Sequence, residues 1–325
     1  MNEHHNGSMT GIHLRKNSLK LIEVENAANQ QYRINKIVQT KLNFPLTVAT
    51  LGDENIIAKI GNELSQIFID HNLSSQKVIF CLESPMTLIK KLPYDETLTE
   101  EELINQVDWE VKEFSYSPED EYIVDFHKLI RSHRRGAPEM VVVSVREKLI
   151  SRLKRLFANG RIQVKVIDLD VFAAMRAIEV NYDLREGEMN ALIEVNPTGL
   201  LFTIIEDKEF YYSQEVSLTK LGLEIDSLES SDEEEVAKFI SKELRRIILD
   251  NKLGENIENL NRIFLYGDMV KDNILENLQN SYNVRIDRAN PFRRLLFAPN
   301  VSVDENIWSR PETFTVCVGS ALRGK

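Results

Sequence analysis

Side chains suited to chemistry are thinly spread along this chain. The adjacent carboxylates Glu101-Glu102 and Glu233-Glu234 have the composition of a general acid and base. Each pair nevertheless stands at the start of a helical pattern, where Thr99 with Glu102 and Ser231 with Glu234 make capping boxes. Negative charge there is what a helix N-terminus favours. Six histidines, two of them in His4-His5, show no metal-ligand spacing. Cys81 and Cys317 lie far apart in apolar surroundings and read as buried, reduced thiols of a cytosolic protein. No Gly-x-Ser-x-Gly elbow, Walker loop or dinucleotide fingerprint occurs. One side chain stands out by direction. From Leu103 onward, Leu103, Ile104, Val107, Val111 and Phe114 share a helical stripe about 100° wide, whereas Trp109 falls at about 240°, flanked by Gln106 and Glu113. That face needs a second apolar surface, either in the same chain or on a partner.

The elements that would position such residues repeat. Ile12-His13-Leu14, a turn at Lys16-Asn17-Ser18, Leu19 to Val24 and Tyr32 to Gln39 predict a three-strand meander. The same pattern returns midway: Ala191 to Val195, the turn Asn196-Pro197-Thr198-Gly199, Leu200 to Ile205, the turn Asp207-Lys208, and Glu209 to Ser213. Between the copies lie a helix over Ile56 to Asp70 and a strand over Lys77 to Leu82. A segment of its own character, roughly Glu83 to Asn159, follows: the Trp109 helix, strands at Tyr122 to Leu129 and Met140 to Val145 joined by a basic turn at Arg131 to Pro138, and a helix over Lys148 to Ala158. The spacing next predicts a strand at Ile162 to Asp168. In the second half, Val236, Ile240, Leu244 and Ile247 give the buried stripe of a long helix. A strand at Arg262 to Tyr266, the turn Gly267-Asp268 and a closing helix around Val316 to Arg323 complete the pattern.

With 325 residues the chain exceeds the size at which single cores stop growing, about 250 to 300 residues, so two domains are expected. The net charge of -11 opposes a nucleic-acid footprint and broad adhesion to anionic lipid. No apolar run reaches the ~18 to 20 residues of a membrane span. His4 to Ser8, before Met9, reads as a cloning remnant and is left out of the fold argument.

The residues also carry a resemblance. Two domains that each open with a β-turn-β meander describe the actin and sugar-kinase architecture, where the two turns face each other across a cleft and grip phosphates. Within that superfamily the chain most resembles the type IV pilus assembly protein PilM, a relative of the division protein FtsA. The stretches that carry this are Ser84-Pro85, Lys90-Lys91-Leu92-Pro93, Glu101 to Phe114 with Gln106-Val107-Asp108-Trp109-Glu110, and Pro118 to Phe126. Asp168 with Phe172-Ala173-Ala174, Asn290-Pro291-Phe292 and Val318 to Gly324 also look like that family. The resemblance implies an α/β, actin-like (ribonuclease H-like) fold of two domains. The first, 9–185, would contain an inserted α+β subdomain at about 83–159. The second, 186–325, would have a shortened second subdomain at about 215–260.

Departures from the family pattern fall in its nucleotide-binding loops. Family members with a working site open with Asp-x-Gly, the carboxylate ordering Mg²⁺ water and glycine letting backbone N–H groups approach phosphate. Here His13 stands at the Asp position and Arg15 at the Gly position, with Ser18 and Lys20 kept in register. In the second loop Glu194 replaces Asp and Asn196 replaces Gly. Pro197 removes a further donor, leaving Thr198 as the hydroxyl. The third element, a Gly-Gly pair in the family, is Gly267-Asp268, and Ser217 to Val236 is shorter than the segment that walls the adenine pocket. Arg15, Lys16, Asn17, Ser18, Lys20, Glu194, Asn196, Thr198, Gly267 and Asp268 are therefore the residues of a degenerate nucleotide cleft. Each lost charge-assisted hydrogen bond is worth about 1.5 to 3 kcal/mol, so three or four together remove several orders of magnitude of affinity, which a phosphate contact from Arg15 would partly offset.

The resemblance thus implies a scaffold without catalytic residues, metal or cofactor. It would lie at the inner face of the cytoplasmic membrane and bind the cytoplasmic N-terminal peptide of a PilN-like membrane protein, with other pilus-platform proteins as further partners and self-association left open. Gln106, Trp109 and Glu113 are the partner-binding candidates. Two alternatives stay open: a weak Mg-ATP-binding switch or ATPase of the PilM/FtsA type, and the cytoplasmic domain of a GspL-like type II secretion protein.

Overall fold

The computed structural model describes residues 8–28, 31–74, 76–115, 117, 119–130, 138–217 and 232–323. The basic turn at 131–137, Ser231 of the second capping box, and nearly all of the shortened stretch between 217 and 236 lie outside the described residues, as do Pro118 and Gly324. The chain forms two compact units, Met1–Asp170 with Leu296–Val301 and Ser320–Lys325, and Val171–Leu295 with Ser302–Gly319.

In chain order the first unit comprises β1 (Met9–Asn26), β2 (Tyr32–Leu46), α1 (Glu54–Asp70), β3 (Val78–Leu82), β4 (Leu88–Pro93), α2 (Glu100–Phe114), β5 (Tyr122–Lys128), β6 (Glu139–Arg146), α3 (Glu147–Asn159) and β7 (Val164–Leu169). All five residues of β3 are buried, as its apolar run Val-Ile-Phe-Cys-Leu requires of a strand covered on both faces. It pairs in parallel with β1 from Thr10↔Val78 to His13↔Cys81 and with β7 through Cys81↔Asp168 and Leu82↔Leu169. The later half of β1 runs antiparallel to β2, from Ser18↔Lys41 to Asn26↔Tyr32. The opening meander thus takes the form of two long β runs. Its first turn is carried by left-handed Lys16 (φ 51°) and a register shift between Lys16 and Ser18, with extended backbone on either side.

Asp53 caps α1 by accepting from the N–H groups of Asn55 and Ile56 at 2.8 and 3.3 Å. Along α3, Leu149, Ile150, Leu153, Leu156 and Phe157 are buried, with Phe157 edge-on to Phe80 at 5.0 Å. The two helices touch backbone to backbone at Gly61 and Gly160, where a Cβ on Gly61 would lie 2.5 Å from the Leu156 carbonyl. The sequence pattern grouped α3 with the insertion at 83–159, yet its apolar face meets α1 on the main sheet.

Antiparallel strands in the order β4-β6-β5 form a separate sheet, crossed on one face by α2. Leu92, Tyr94, Leu103, Val107, Val111, Met140 and Val142 fill its core, with Phe114, Tyr122, Val124 and Phe126 packed at the margin. Thr99 and Glu102 form the expected capping box. Ile104, assigned to the buried stripe from its spacing, is 46% exposed, because it lies at the stripe's edge where the three-stranded sheet no longer covers the helix.

The second unit follows with α4 (Asp170–Asn181), β8 (Met189–Asn196), β9 (Gly199–Glu206), β10 (Glu209–Ser217), α5 (Glu233–Asp250), β11 (Arg262–Tyr266), α6 (Asp272–Ser281) and β12 (Arg285–Arg288). Its sheet order is β10-β9-β8-β11-β12, an antiparallel meander followed by two parallel strands. Asp207 and Lys208, both at positive φ (54° and 70°), make the two-residue hairpin turn whose twist matches its strands. Asp232 caps α5, its carboxylate accepting from the Glu234 N–H at 3.0 Å. After β12 the chain adds β13 (Leu296–Phe297) in parallel to β2 of the first unit and then forms α7 (Glu305–Ser309) and α8 (Thr315–Ala321). The observed division comes after Asp170, whereas the sequence pattern suggested 185/186. α4 sits with the second unit, where a Cβ on Gly319 would overlap the Ala173 carbonyl and Arg176 donates to the Gly319 carbonyl at 2.6 Å.

The glycine contact of α1 with α3 is expected to tolerate no added carbon. Gly61→Ala should lower unfolding stability by about 1–3 kcal/mol, read as a shift of the denaturant midpoint at unchanged slope. Gly52→Ala, with nothing within 4 Å of its added methyl, should leave the midpoint in place.

Candidate functional site

In parallel sheets, ligands bind beyond the carboxyl ends of the strands. In the first unit, register places His13, Cys81 and Asp168 in one row there. Arg15, Glu83 and Asp170 each lie two residues further along their chain segments. His13 is buried, and its Nε2 has no hydrogen-bond partner. Burial, then the charges of Arg15 and Lys20, hold its imidazole well below the usual histidine pKa. It is a neutral nitrogen group where a carboxylate would be needed, and Mg²⁺ takes oxygen ligands. At this one position the side chain offers Mg²⁺ no oxygen ligand.

Arg15 Nε is ion-paired with Glu83, both side chains being largely buried. Asp170 accepts from the Ser84 N–H at 2.9 Å and from the Ser84 hydroxyl. Asp168 accepts from the Leu169 N–H at 2.9 Å and pairs with Arg323. Of the candidates on β1, Lys16 and Asn17 are exposed, Ser18 is half-buried, and Lys20 is buried at 2% exposure. The strand brings these five together, but Arg15 is already engaged. Sequence reasoning missed Glu83, Ser84 and Asp170 as partners at this edge. Ser84 was visible only as part of a family motif, and nothing in the local spacing tied Glu83 to Arg15, 68 positions away.

The second unit has its own strand end. Tyr266↔Glu194 pairing of β11 with β8 brings Gly267 and Asp268 beside Glu194, Asn196 and Thr198. Asn196 Oδ1 accepts from both the Thr198 N–H and the Thr198 hydroxyl at 3.0 Å, so the hairpin with Pro197 is closed by its own side chain. Gly267 (φ 104°) is required where it stands: a Cβ would lie 2.6 Å from the Val195 carbonyl and 3.0 Å from Glu194 Cγ. The N–H of Gly267 donates to the Glu312 carbonyl at 3.3 Å, and that of Met269 donates to the Val195 carbonyl at 2.9 Å. Arg310 Nη2 donates to the Asp268 carbonyl at 2.6 Å, while its Nε reaches Glu312 Oε1 at 3.3 Å. Glu312 is fully buried; burial pushes its pKa up, with Arg288 and Arg310 opposing. Three backbone N–H groups here, those of Thr198, Gly267 and Met269, thus have internal acceptors. Arg310 and Glu312 left no signal in the sequence beyond Pro311 between them.

On α2, Gln106, Trp109 and Glu113 occupy one face by their spacing of three and four residues. Trp109 is 60% exposed, Glu113 is exposed, and the buried Oε1 of Gln106 has no hydrogen-bond partner. Among the described residues no group of three or more histidine, cysteine or acidic side chains is placed to hold a metal, and no helix is long and apolar enough to cross a membrane.

The family model for the type IV pilus assembly protein PilM matches residues 11–222. Among solved structures, a chain of the PilM–PilN type IV pilus biogenesis complex superposes with TM-score 0.75 at 15% identity, covering 98% of this chain and 99% of that one. A protein from Bacteroides thetaiotaomicron described as having an actin-like ATPase fold and unknown function superposes with TM-score 0.50 at 11% identity, covering 88% and 92%. These likenesses give both units together an actin-like, α/β fold.

The lowered pKa of His13 has a defined sign in stability. Above the unfolded value, about 6.5, neither state is protonated; below it the unfolded chain takes up a proton that the folded chain refuses, so stability falls. His13→Gln should therefore gain on the parent as pH drops from 6.5 to 5, by up to about 1.4 kcal/mol per pH unit. Urea midpoints of both proteins across that range check this; a difference independent of pH contradicts it.

Proposed function

Because the chain belongs to the family of the type IV pilus assembly protein PilM, we propose that it serves the inner-membrane platform of a type IV pilus or related secretion system as an adaptor that grips proteins and not nucleotide. The observation that carries this reading is the internal closure of both strand ends. Arg15 is tied to Glu83 beside a neutral His13, and the N–H groups of Thr198, Gly267 and Met269 already have acceptors. A triphosphate would have to break these contacts and bring its own cation.

The partner in this reading is the cytoplasmic N-terminal peptide of a PilN-like membrane protein, held in a groove between the first subdomain and the insertion at about 83–159. Support comes from the fold shared with a chain solved in a PilM–PilN complex and from the open architecture of the inserted sheet, whose outer strands β4 and β5 offer edges to an extended peptide. Main-chain pairing would supply affinity, and a few side-chain pockets specificity. The adaptor would be held at the membrane through that partner.

Two titrations by calorimetry test the proposal. Mg-ATP up to millimolar concentration should give no heat, whereas a micromolar signal would establish the nucleotide switch instead. The N-terminal peptide of the PilN-like protein encoded with this chain should bind without nucleotide. Fusing that peptide to the chain should abolish binding of the free peptide, and an unchanged titration of the fusion would reject the groove.

A further inference from the structure

Helix α2 carries charges that its own N-terminus explains only in part. Six carboxylates, Glu100, Glu101, Glu102, Asp108, Glu110 and Glu113, stand against one lysine, Lys112. The first three suit the helix N-terminus, and Glu102 closes the capping box. Glu110 and Glu113 lie in the last turns, where the macrodipole disfavours negative charge, and with Asp108 they make no ion pair with any described residue. Of the three, Glu113 shares the face of Trp109, which exposes 60% of its surface. Gln106, one turn earlier, ends in a buried amide oxygen without a donor, and it lines a shallow depression of about 550 Å³ with Pro93, Tyr94, Asp95 and Glu96. Hydrogen bonds from the Thr97 N–H and hydroxyl hold Asp95 below the ordinary carboxylate range, so its charge is also present at this rim.

We infer that this face docks an arginine-bearing basic segment of a partner protein. Charge complementarity selects a cation, and the array selects arginine over lysine. A guanidinium can stack on the indole of Trp109 while its fork bonds the carboxylate of Glu113 one turn along, and a second basic residue can reach the exposed carboxylate of Asp95. Acidic segments are repelled by Glu113 and Asp95. The inference rests on the adaptor reading and gives the chemistry of what the insertion takes; it does not require that the groove and the α2 face hold the same peptide.

Trp109 supplies its own reporter. The chain has two tryptophans, and Trp308→Phe removes the other while keeping an aromatic ring against Phe292. In that background, a nine-residue peptide alternating arginine and leucine should shift and quench the Trp109 emission in a saturable titration. Its lysine counterpart should bind several-fold more weakly and a glutamate counterpart not at all. Glu113→Arg should weaken the arginine peptide about tenfold or more, which is about 1.4 kcal/mol, with the helical circular dichroism and unfolding midpoint retained. Glu113→Gln, a milder change, should weaken it less and lower its salt dependence. No emission change at millimolar arginine peptide, equal response to the glutamate peptide, or full affinity in a folded Glu113→Arg protein would each overturn the inference. Binding of the PilN-like peptide alongside any of those results would leave the adaptor reading standing and remove only this one.

Discussion

A guanidinium held at the end of a parallel sheet must be paired, because little water reaches it and an unpaired charge there is costly. Arg15 meets that constraint with Glu83, and the consequences run through the first unit. The pair spans β1 and the segment leaving β3, so it joins the strand that opens the fold to the point where the inserted sheet departs. Beside it His13 stays neutral, through its own burial first and then through the charges of Arg15 and buried Lys20.

The second unit reaches a similar condition by other means. Its hairpin is closed by Asn196, and its β11 loop is fastened through Arg310 and the buried carboxyl of Glu312. Glu312 tolerates full burial because two arginines face it and its pKa is raised. Glycine at 267 survives for a packing reason, the approach of Glu194 and the Val195 carbonyl, and this accounts for keeping one glycine of the pair when the other is Asp268.

The inserted sheet shows a different economy. Three strands and one helix give a small core, with Tyr94 within it and Phe114 at its margin, each lying under a lysine amine: Lys128 at 5.0 Å and Lys90 at 4.5 Å. Such a core covers one side of its helix and leaves Trp109 on the other 60% exposed.

What the sequence by itself determined was everything set by period and local chemistry. The repeated meander, the capping box at Thr99 and Glu102, the buried run of β3 and the outward direction of Trp109 all follow from residues within a few positions of one another. The motifs at 84–126 likewise carry the likeness to the family. Only the tertiary structure decided what depends on distant partners. It joined Arg15 to Glu83 and Asp168 to Arg323, packed α3 onto α1 through Gly61 and Gly160, grouped α4 with the second unit and left Ile104 outside the core. The physical reason is that periodicity fixes which face of an element is apolar, whereas the charge that meets a given charge is set by register between strands far apart in the chain.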